Sequence, residues 1–403
     1  MRLGFAVKVL GRPGLKSNDA RRWQNDPHLR VSIEYANGIF DYLEEVGISM
    51  YRFSSDFAPY LTHPDLPQFH KQLEEAGDEL IELGRRANRM NLRLSFHPSQ
   101  YILLNSPSER LTDVSTRDFM AQATMLDMME QGPEGVIVTH VGGVYGDKPS
   151  AMQRFVDNFR KLPEPARRRL VLENDDESYG VVECLQIHEQ CGVRLIFDHQ
   201  HYTCINDGSM THAEAACAAL NTWPSGVRPK IHFSSPRQEQ RTIERRNKET
   251  GERKIFEVDP LLSQHADYID SATFIPWARE VTARCGKDGR VPFDVMCEAK
   301  AKDLAVFQLR DDLLREAPEL QLVPMPSEAQ LAVSHRMRQE LVDAEHAVQE
   351  AKDERIRLAA ERKVEKERLA LERAAKKLEK EKAAKKAAKA KAKKAAAKEK
   401  VSI

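Results

Sequence analysis

The chain has 403 residues, 41% of them hydrophobic, which indicates a globular protein with one large domain or two ordinary ones. Its 62 basic and 62 acidic side chains cancel, but residues 381–400 hold nine Lys against two Glu, so the rest of the chain is mildly acidic. No apolar run approaches the roughly 20 residues that cross a bilayer, so the composition excludes a membrane span.

From Leu3 to about Ala317, short apolar runs alternate with polar turns and helical periodicity, which is the pattern of βα units. The predicted strands are Leu3–Val7, Met50–Ser54, Leu92–Phe96, Val136–Thr139, Leu170–Leu172, Leu195–Phe197, Lys230–Phe233 and Asp294–Cys297. The predicted helices are Arg30–Val46, Pro67–Arg89, Thr116–Glu130, Ser150–Lys161, Val181–Gln190, Thr211–Asn221, Gln264–Arg284 and Lys302–Glu316. Eight such pairs favour an α/β fold of the (β/α)8 TIM-barrel type over a doubly wound open sheet, because closure removes the edges of a parallel sheet.

Two segments lie outside this repeat. Residues 237–257 are too polar for a core, and Arg241–Arg246 and Arg253–Val258 are predicted to form a hairpin that turns at residues 248–251 beside the strand ends. From about Pro326 the chain is rich in Ala, Lys, Glu and Arg, which predicts a solvated helix that frays into a Lys/Ala tail. We therefore predict a barrel domain over residues 1–320 and a helical to disordered basic tail over residues 326–403.

The cysteine pattern gives no sign of a redox or zinc motif. The six cysteines include no CxxC pair, and the start of the chain lacks the charged and apolar regions of a signal peptide. A reducing cytoplasm is the expected setting. Cys297 is most simply a buried strand residue, because no His partner is identifiable that would make it a nucleophile.

The carboxyl ends of the predicted strands, which form the catalytic face of a TIM barrel, carry mostly side chains of metal-ligand type. Besides Lys230, these are His97, His140, Glu173, Asp198, His201, His232, His265 and Glu298. Any one of them alone is more often a structural residue, but so many imidazoles and carboxylates in one mouth require cations between them. Mixed ligands of this kind suit Zn, Mn or Fe, and their number predicts two or three ions with a carboxylate such as Glu173 bridging.

Two local patterns refine this set. In Asp198-His199-Gln200-His201, the outer two residues can share the rim of the barrel, whereas His199 should point to the other face. His63 follows the second strand in a loop on the catalytic side, where it either faces the site as a further catalytic residue or lies at the surface. His28, His70, His188 and His212 fall in or near predicted helices, where surface or capping roles are favoured.

Five ordered motifs resemble those of a known family. They are Ser95-Phe96-His97-Pro98-Ser99-Gln100-Tyr101, Leu172-Glu173-Asn174-Asp175-Asp176, Phe197-Asp198-x-x-His201, Lys230-Ile231-His232-Phe233-Ser234-Ser235 and His265-Ala266-Asp267-Tyr268-Ile269. They are similar to motifs of the UV-damage endonucleases, DNA-repair enzymes related to endonuclease IV and the xylose isomerase-like barrels. The resemblance covers roughly residues 1–310.

The resemblance implies an enzyme that nicks duplex DNA immediately 5′ of a cyclobutane dimer, a 6–4 photoproduct or another distorting lesion. It implies up to three divalent ions, usually manganese with zinc as the other candidate, held by the eight ligand-type residues above. Glu173 and Glu298 would hold the central ions, and Lys230 matches a lysine that can be carboxylated. Gln100 and Tyr101 match the pair that probes the duplex at the lesion.

The chain also departs from the family near the expected DNA. Phe5 and Val9 stand where the family tends to have Tyr and Asn. Phe5 can still stack on a base, but neither side chain can donate a hydrogen bond, so we expect lesion recognition to differ.

Two other functions fit the same ligand types. A sugar isomerase of the xylose isomerase kind is the main alternative, and a nucleic-acid-binding protein with a structural metal is the second. The Gln100-Tyr101 pair and the basic tail favour the DNA enzyme. The expected partner is damaged duplex DNA, bound by a monomer in the cytoplasm at the nucleoid, with the tail contacting DNA or a partner protein.

Overall fold

The structure, a computed structural model, describes residues 1–246 and 250–399. Within them the strands are β1 Leu3–Ala6, β2 Met50–Arg52, β3 Arg93–Phe96, β4 Val136–Thr139, β5 Leu170–Glu173, β6 Arg194–Ile196, β7 Lys230–Phe233, β8 Arg241–Arg246, β9 Arg253–Val258 and β10 Asp294–Cys297. The helices are α1 Leu29–Val46, α2 Gln72–Glu75, α3 Gly77–Arg89, α4 Glu109–Met128, α5 Lys148–Lys161, α6 Glu164–Arg169, α7 Val181–Cys191, α8 His199–Cys204, α9 His212–Leu220, α10 Ser271–Cys285, α11 Asp303–Glu316 and α12 Glu328–Glu399.

Eight of the strands form one parallel sheet in the order β6-β5-β4-β3-β2-β1-β10-β7. A parallel bridge between Asp198 and His232 joins the two ends of this order. There the His232 backbone N–H donates to the Phe197 carbonyl over 2.9 Å. The sheet is therefore a closed barrel surrounded by helices, and the predicted (β/α)8 fold is confirmed.

Alternation along each strand separates the helix-facing core from the barrel interior. In β7, Ile231 and Phe233 belong to the large hydrophobic core that includes the helices. Lys230 and His232, also fully buried, alternate with them and point into the barrel. Through this alternation, polar side chains line the interior of the barrel up to its carboxyl end.

Local sequence signals define the ends of helix α1. His28 caps its N-terminus by accepting the Arg30 backbone N–H over 3.1 Å. The helix ends at Gly47, whose φ of 70° is a left-handed conformation that glycine adopts without strain. A capping role for His28 is therefore confirmed.

The helices differ from the prediction mainly where they are short. The segment predicted as one helix from Pro67 to Arg89 begins with a 3-10 turn, Pro67–Phe69, and is then divided between α2 and α3. Helices α6 and α8 were not predicted, because six residues are too few to show helical periodicity. A disulfide joins Cys217 in α9 to Cys285 in α10, and no short spacing motif indicates a pairing over a sequence separation of 68.

The insertion after β7 forms the predicted hairpin. Strands β8 and β9 pair antiparallel, from Arg241 opposite Val258 to Arg246 opposite Arg253. Of the predicted turn at residues 248–251, residues 248 and 249 lie outside the described residues.

The first compact unit runs from Met1 to Arg338, and the second from Gln339 onward. The barrel unit extends past residue 320 because the start of α12 is fixed to it. Ser327 and Gln330 form a reciprocal capping box, and the Gln330 amide donates to the Glu44 carbonyl over 2.8 Å. In the second unit, residues 339–399 continue α12, and the predicted tail residues 400–403 lie outside the described part of the chain.

No described helix combines the length and apolarity needed to cross a membrane.

An ion cluster closes the amino end of the barrel. The Asp294 carboxylate accepts from Arg93 over 3.0 Å, from Arg2 over 3.0 Å and from Arg228 over 2.6 Å. Both Asp294 and Arg93 are buried. Burial acts to raise the pKa of Asp294, but Arg93, Arg228 and Arg2 hold it well below its usual range.

We expect Asp294→Asn to lower the free energy of unfolding by about 3–5 kcal/mol, because it leaves the buried Arg93 without its charge partner. Since the folded-state pKa of Asp294 is depressed, its stabilisation is present above the unfolded pKa of about 3.9 and is lost as the pH falls through the folded pKa. Denaturant unfolding at neutral and acid pH measures both effects. The exposed Asp113→Asn in α4 is the control, and equal stability of the two variants would contradict the prediction.

Candidate metal centre

The predicted ligands converge at the carboxyl end of the barrel around one carboxylate. Glu173, the last residue of β5, is 1% exposed. Its Oε1 lies 2.7 Å from His232 Nδ1, and its Oε2 lies 3.4 Å from His97 Nε2 and 3.6 Å from His140 Nε2. His201 Nδ1 is 3.7 Å from Oε1. Four imidazoles from different strands and loops therefore surround one buried carboxylate.

The remaining predicted ligands extend this cluster. Asp198 Oδ1 lies 3.8 Å from His201 Nδ1, and Glu298 Oε1 lies 3.2 Å from His232 Nδ1. The ring centroid of His265 is 6.4 Å from that of His201. All eight side chains are thus brought to one mouth.

Two groups within the cluster have the spacing to hold an ion. In each, the three ligand atoms lie within 4.8 Å of one another. One group is His97, His140 and Glu173, and the other is Glu173, Asp198 and His232. Because Glu173 belongs to both, it has the position of a carboxylate that bridges two ions.

Backbone carbonyls fix the orientation of three imidazoles. His97 Nδ1 lies 3.0 Å from the Pro98 oxygen, His201 Nδ1 lies 2.9 Å from the Asn174 oxygen, and His265 Nδ1 lies 2.5 Å from the Glu298 oxygen. A carbonyl only accepts hydrogen bonds, so each Nδ1 carries a proton and Nε2 is left as the nitrogen that can bind a cation. This is the arrangement that orients histidines toward a metal.

The chemistry of the cluster fits divalent cations. Glu173 Oε2 and Asp198 Oδ2 are buried and have no hydrogen-bond partner among the described residues. Buried carboxylate oxygens are normally paired, and an unpaired buried charge is costly. Two such oxygens beside several imidazole nitrogens form a donor set that suits zinc or manganese better than calcium.

Without cations the cluster balances its charges through protons. Burial raises the pKa of Asp198 to about 7, although His201 opposes the shift. Burial lowers the pKa of His201, but Asp198 and Glu173 outweigh it and raise that pKa to about 9. Burial lowers the pKa of His232 to about 4. Because metal ligands must be deprotonated, ion binding would displace protons from Asp198 and His201.

Asp198 and His201 reach the rim differently from the prediction. Strand β6 ends at Ile196, and Asp198 caps the short helix α8, its Oδ1 accepting the His201 backbone N–H over 2.7 Å. A helix turn therefore brings the two side chains together. His199 points away, as predicted, and its ring stacks on Phe233 with centroids 4.3 Å apart.

Lys230 lies inside the barrel below the cluster. It is fully buried, and its Nζ donates to Ser95 Oγ over 3.2 Å. Burial, assisted by Arg93 and Arg52, holds the pKa of this lysine well below its usual range. The amine is therefore held toward its neutral form.

Sequence reasoning missed Arg52, the last residue of β2. Its guanidinium forms an ion pair with Glu298 Oε1. Burial acts to raise the pKa of Glu298, but Arg52 and His232 hold it below its usual range. The strand-end position of Arg52 was a usable signal, but a guanidinium is not a metal ligand and so does not stand out among the His, Asp and Glu side chains there.

The structure places His63 away from the cluster. Its side chain is exposed, and its Nδ1 accepts the Asp65 backbone N–H over 3.2 Å. It lines a cavity of about 450 Å³ together with Asp56 and Asp118, and none of the eight predicted ligands lines that cavity. These contacts do not support the predicted catalytic role of His63.

The residues predicted to contact the lesion differ in their exposure. Gln100 and Tyr101 are exposed on the loop after β3, and Tyr101 is 78% exposed, which excludes a core role for its ring. Phe5 is fully buried and packs edge-on against Tyr51, with ring centroids 5.5 Å apart. The predicted stacking of Phe5 on a base is therefore wrong. Val9 is also buried.

Comparisons with known proteins show the family of this chain. A family model described as UV-endonuclease UvdE matches residues 30–331. The UV DNA damage endonuclease of Bacillus pumilus (strain SAFR-032) is 35% identical over 268 residues, covering 66% of this chain and 75% of the relative. That of Bacillus cereus (strain B4264) is 32% identical over 289 residues, covering 71% and 81%. The crystal structure of SacUVDE aligns with a TM-score of 0.62 and 27% identity, covering 78% of this chain and 98% of its own. The chain belongs to the UV-endonuclease UvdE family.

Proposed function

We propose that this protein is a DNA-repair endonuclease that nicks duplex DNA immediately 5′ of cyclobutane dimers, 6–4 photoproducts and other distorting lesions. The observation that carries the proposal is Glu173, shared by two groups of potential ligands in the mouth of a UvdE-family barrel. The names of the relatives, UV DNA damage endonucleases, support the substrate. A sugar isomerase and a structural-metal protein are disfavoured by this family membership.

We propose that the mouth holds two or three divalent ions, manganese in the first place and zinc as the alternative. The residues that would hold them are His97, His140, Glu173, Asp198, His201, His232, His265 and Glu298. When bound, such ions lower the pKa of a water and stabilise the charge on the scissile phosphate. Glu173 would bridge, and no side-chain nucleophile is needed.

The protein's own residues set the geometry around these ions. Arg52 holds Glu298 in place through their ion pair. His97, His201 and His265 are oriented by backbone carbonyls, so they need not reorganise when they bind. Lys230 presents a largely neutral amine, the form that can take up carbon dioxide to become an anionic carbamate beside the cluster.

Gln100 and Tyr101 are proposed to fill the gap that opens when damaged bases leave the stack. Unpairing costs least at a damaged site, which gives selectivity without sequence reading. The high exposure of the Tyr101 ring supports this role.

Tyr101→Ala should weaken binding to a duplex with one lesion by about 5- to 150-fold, because stacking of one base on an aromatic ring contributes roughly 1–3 kcal/mol. Tyr101→Phe keeps the ring and should restore most of the affinity. Fluorescence anisotropy with damaged and undamaged duplexes measures both variants. Equal losses on the two duplexes would argue against a lesion-specific role.

A duplex with a single cyclobutane dimer and labels on both strands tests the proposed function. In Mn²⁺ the protein should make one cut, immediately 5′ of the dimer, leaving a 3′-hydroxyl that a polymerase extends and a 5′-phosphate that a ligase accepts. Cuts at other positions, or ends that neither enzyme accepts, would contradict the proposal.

We further propose that the protein acts as a monomer in the cytoplasm, on DNA at the nucleoid. Residues 381–400 hold nine Lys and two Glu, and this positive charge supports a contact of that end with DNA or with an acidic partner protein.

A further inference from the structure

The exposed β8–β9 hairpin arises from the same loop that carries His265. It leaves the barrel after β7, at the carboxyl end, and returns to His265 before α10 begins. Every residue of β9 is exposed, so this strand is not buried against the barrel. Ile255 is 72% exposed and Phe256 is 44% exposed. A projecting ribbon beside the proposed metal site needs an explanation other than core packing.

The base of the hairpin is fixed to the metal centre. Pro236 and His265 form an antiparallel bridge, and the Arg237 backbone N–H donates to the Gln264 carbonyl over 2.7 Å. One step further out, the Gln240 amide donates to Asp259 Oδ1 over 2.6 Å. The two strands therefore begin from a hydrogen-bonded stem, which limits how far the ribbon can swing.

The register divides the described side chains between two different faces, because alternate residues point to opposite sides of a ribbon. The first, here the basic face, holds Ile243, Arg245, Lys254, Phe256 and Val258. The second, here the balanced face, holds Thr242, Glu244, Arg246, Arg253, Ile255 and Glu257. Among the described side chains, the basic face carries two cations and no carboxylate, whereas the balanced face carries two of each.

Contacts within the ribbon follow this division. On the balanced face, Arg253 pairs with Glu244 over 2.9 Å. On the basic face, Arg245 and Lys254 stand directly opposite each other, and the Arg245 guanidinium lies 5.9 Å from the Phe256 ring centroid. Lys254 Nζ makes a loose contact, 3.7 Å, with Glu252 before the strand. Like charges opposite each other destabilise a strand pair, so the basic face gains from an external anion.

A DNA duplex fits this face in charge and in shape. Each strand has six residues, which at about 3.4 Å per residue gives a ribbon of roughly 20 Å. The major groove admits a two-stranded ribbon, and regularly spaced phosphates can neutralise Arg245 and Lys254 together. An exposed aromatic ring beside cations is common where proteins contact nucleic acid.

We propose that the basic face of the β8–β9 hairpin binds the phosphate backbone of the duplex beside the cleavage site. This inference rests on the proposed function, since it takes the substrate to be duplex DNA. The hairpin acts as an arm that raises affinity and orients the duplex over the metal centre, and it takes no part in bond cleavage.

Two double variants that remove the same charge test the proposal. Arg245→Gln with Lys254→Gln alters the basic face, and Arg246→Gln with Arg253→Gln alters the balanced face. The basic-face variant should bind a lesion-containing duplex about 10- to 100-fold more weakly at 0.1 M salt. Its slope of log K against log salt should fall by about 2, at about 0.9 per neutralised phosphate. The balanced-face variant should change less in both affinity and salt slope.

The outcomes separate this inference from the proposed function. Unchanged affinity and salt slope in the basic-face variant would overturn the role of the hairpin, including the case in which the ribbon binds a protein instead. Equal losses in the two variants would also overturn it, because general charge would then explain the effect. If the wild-type protein binds damaged duplex but does not nick it, the proposed function fails. Circular dichroism checks that both variants fold, as expected for exposed positions.

Discussion

We expect Glu173→Gln to abolish nicking while binding of damaged duplex stays close to that of the wild type. The carboxylate is the one side chain shared by both ligand groups, and His232, His97 and His140 all lie within 3.6 Å of its oxygens. Gln has nearly the same shape, but one of its two terminal atoms is an N–H donor that cannot bind a cation. The variant therefore loses the bridge and keeps the packing.

The size of this effect follows from the chemistry that the ions would supply. Loss of several kcal/mol of charge stabilisation, at about 1.4 kcal/mol per factor of ten, corresponds to a rate reduced by roughly 10³-fold or more. Single-turnover nicking measures the rate, and anisotropy measures the affinity. The exposed Glu189→Gln in α7 is the matched control and should behave as wild type. Full activity of Glu173→Gln in saturating Mn²⁺ would remove Glu173 from the metal centre.

Chelation of divalent ions should reduce nicking as strongly as Glu173→Gln does. Dialysis against EDTA should eliminate nicking, and Mn²⁺ should restore it, because the proposed mechanism takes its activated water and its charge stabilisation from the bound ions. Removal should also destabilise the protein. Ions present at about 1,000 times their Kd contribute about 4 kcal/mol, which corresponds to a fall in Tm on the order of 5–10 °C.

The control for chelation is the Glu173→Gln variant itself. Its Tm should respond much less to EDTA and to Mn²⁺, because the proposed bridge is absent. Elemental analysis of the wild-type protein should give two or three ions per chain. Nicking that persists after the ions are removed, with no change in Tm, would contradict the account of the site.

The barrel could be predicted from the sequence because its strands are short apolar runs between polar turns. All eight predicted strands are present, three with the predicted bounds and five with ends shifted by one or two residues. The convergence of the ligands followed from this fold, since the carboxyl ends of parallel strands meet at one mouth. The exposure of Tyr101 also agrees with the prediction from its motif.

What the sequence did not predict depends on contacts between distant segments. Phe5 was expected near DNA, but Ala6 faces the interior with Met50 and Met296, so its neighbour Phe5 must face the helices. The Asp294 cluster joins four separate segments, and Arg52 meets Glu298 from 246 positions away. Hydrophobic periodicity and motif spacing indicate local structure. Ion pairs between distant segments follow only from the closed barrel.

The direction of the His63 side chain is another feature that the sequence did not predict. The loop that contains His63 follows the second strand on the catalytic side, as expected, but its turn directs the imidazole toward Asp65 and a neighbouring cavity. The direction of a loop side chain depends on turn geometry that residue types alone do not define.

The central claim, that this metal centre acts on UV-damaged DNA, is tested most directly with supercoiled plasmid. Irradiated and undamaged plasmid are incubated with the protein in Mn²⁺, and conversion to the relaxed form is scored by electrophoresis. We predict that irradiated plasmid is relaxed, in proportion to the dose, and that undamaged plasmid stays supercoiled. Equal nicking of the two plasmids, or none of either, would contradict the claim.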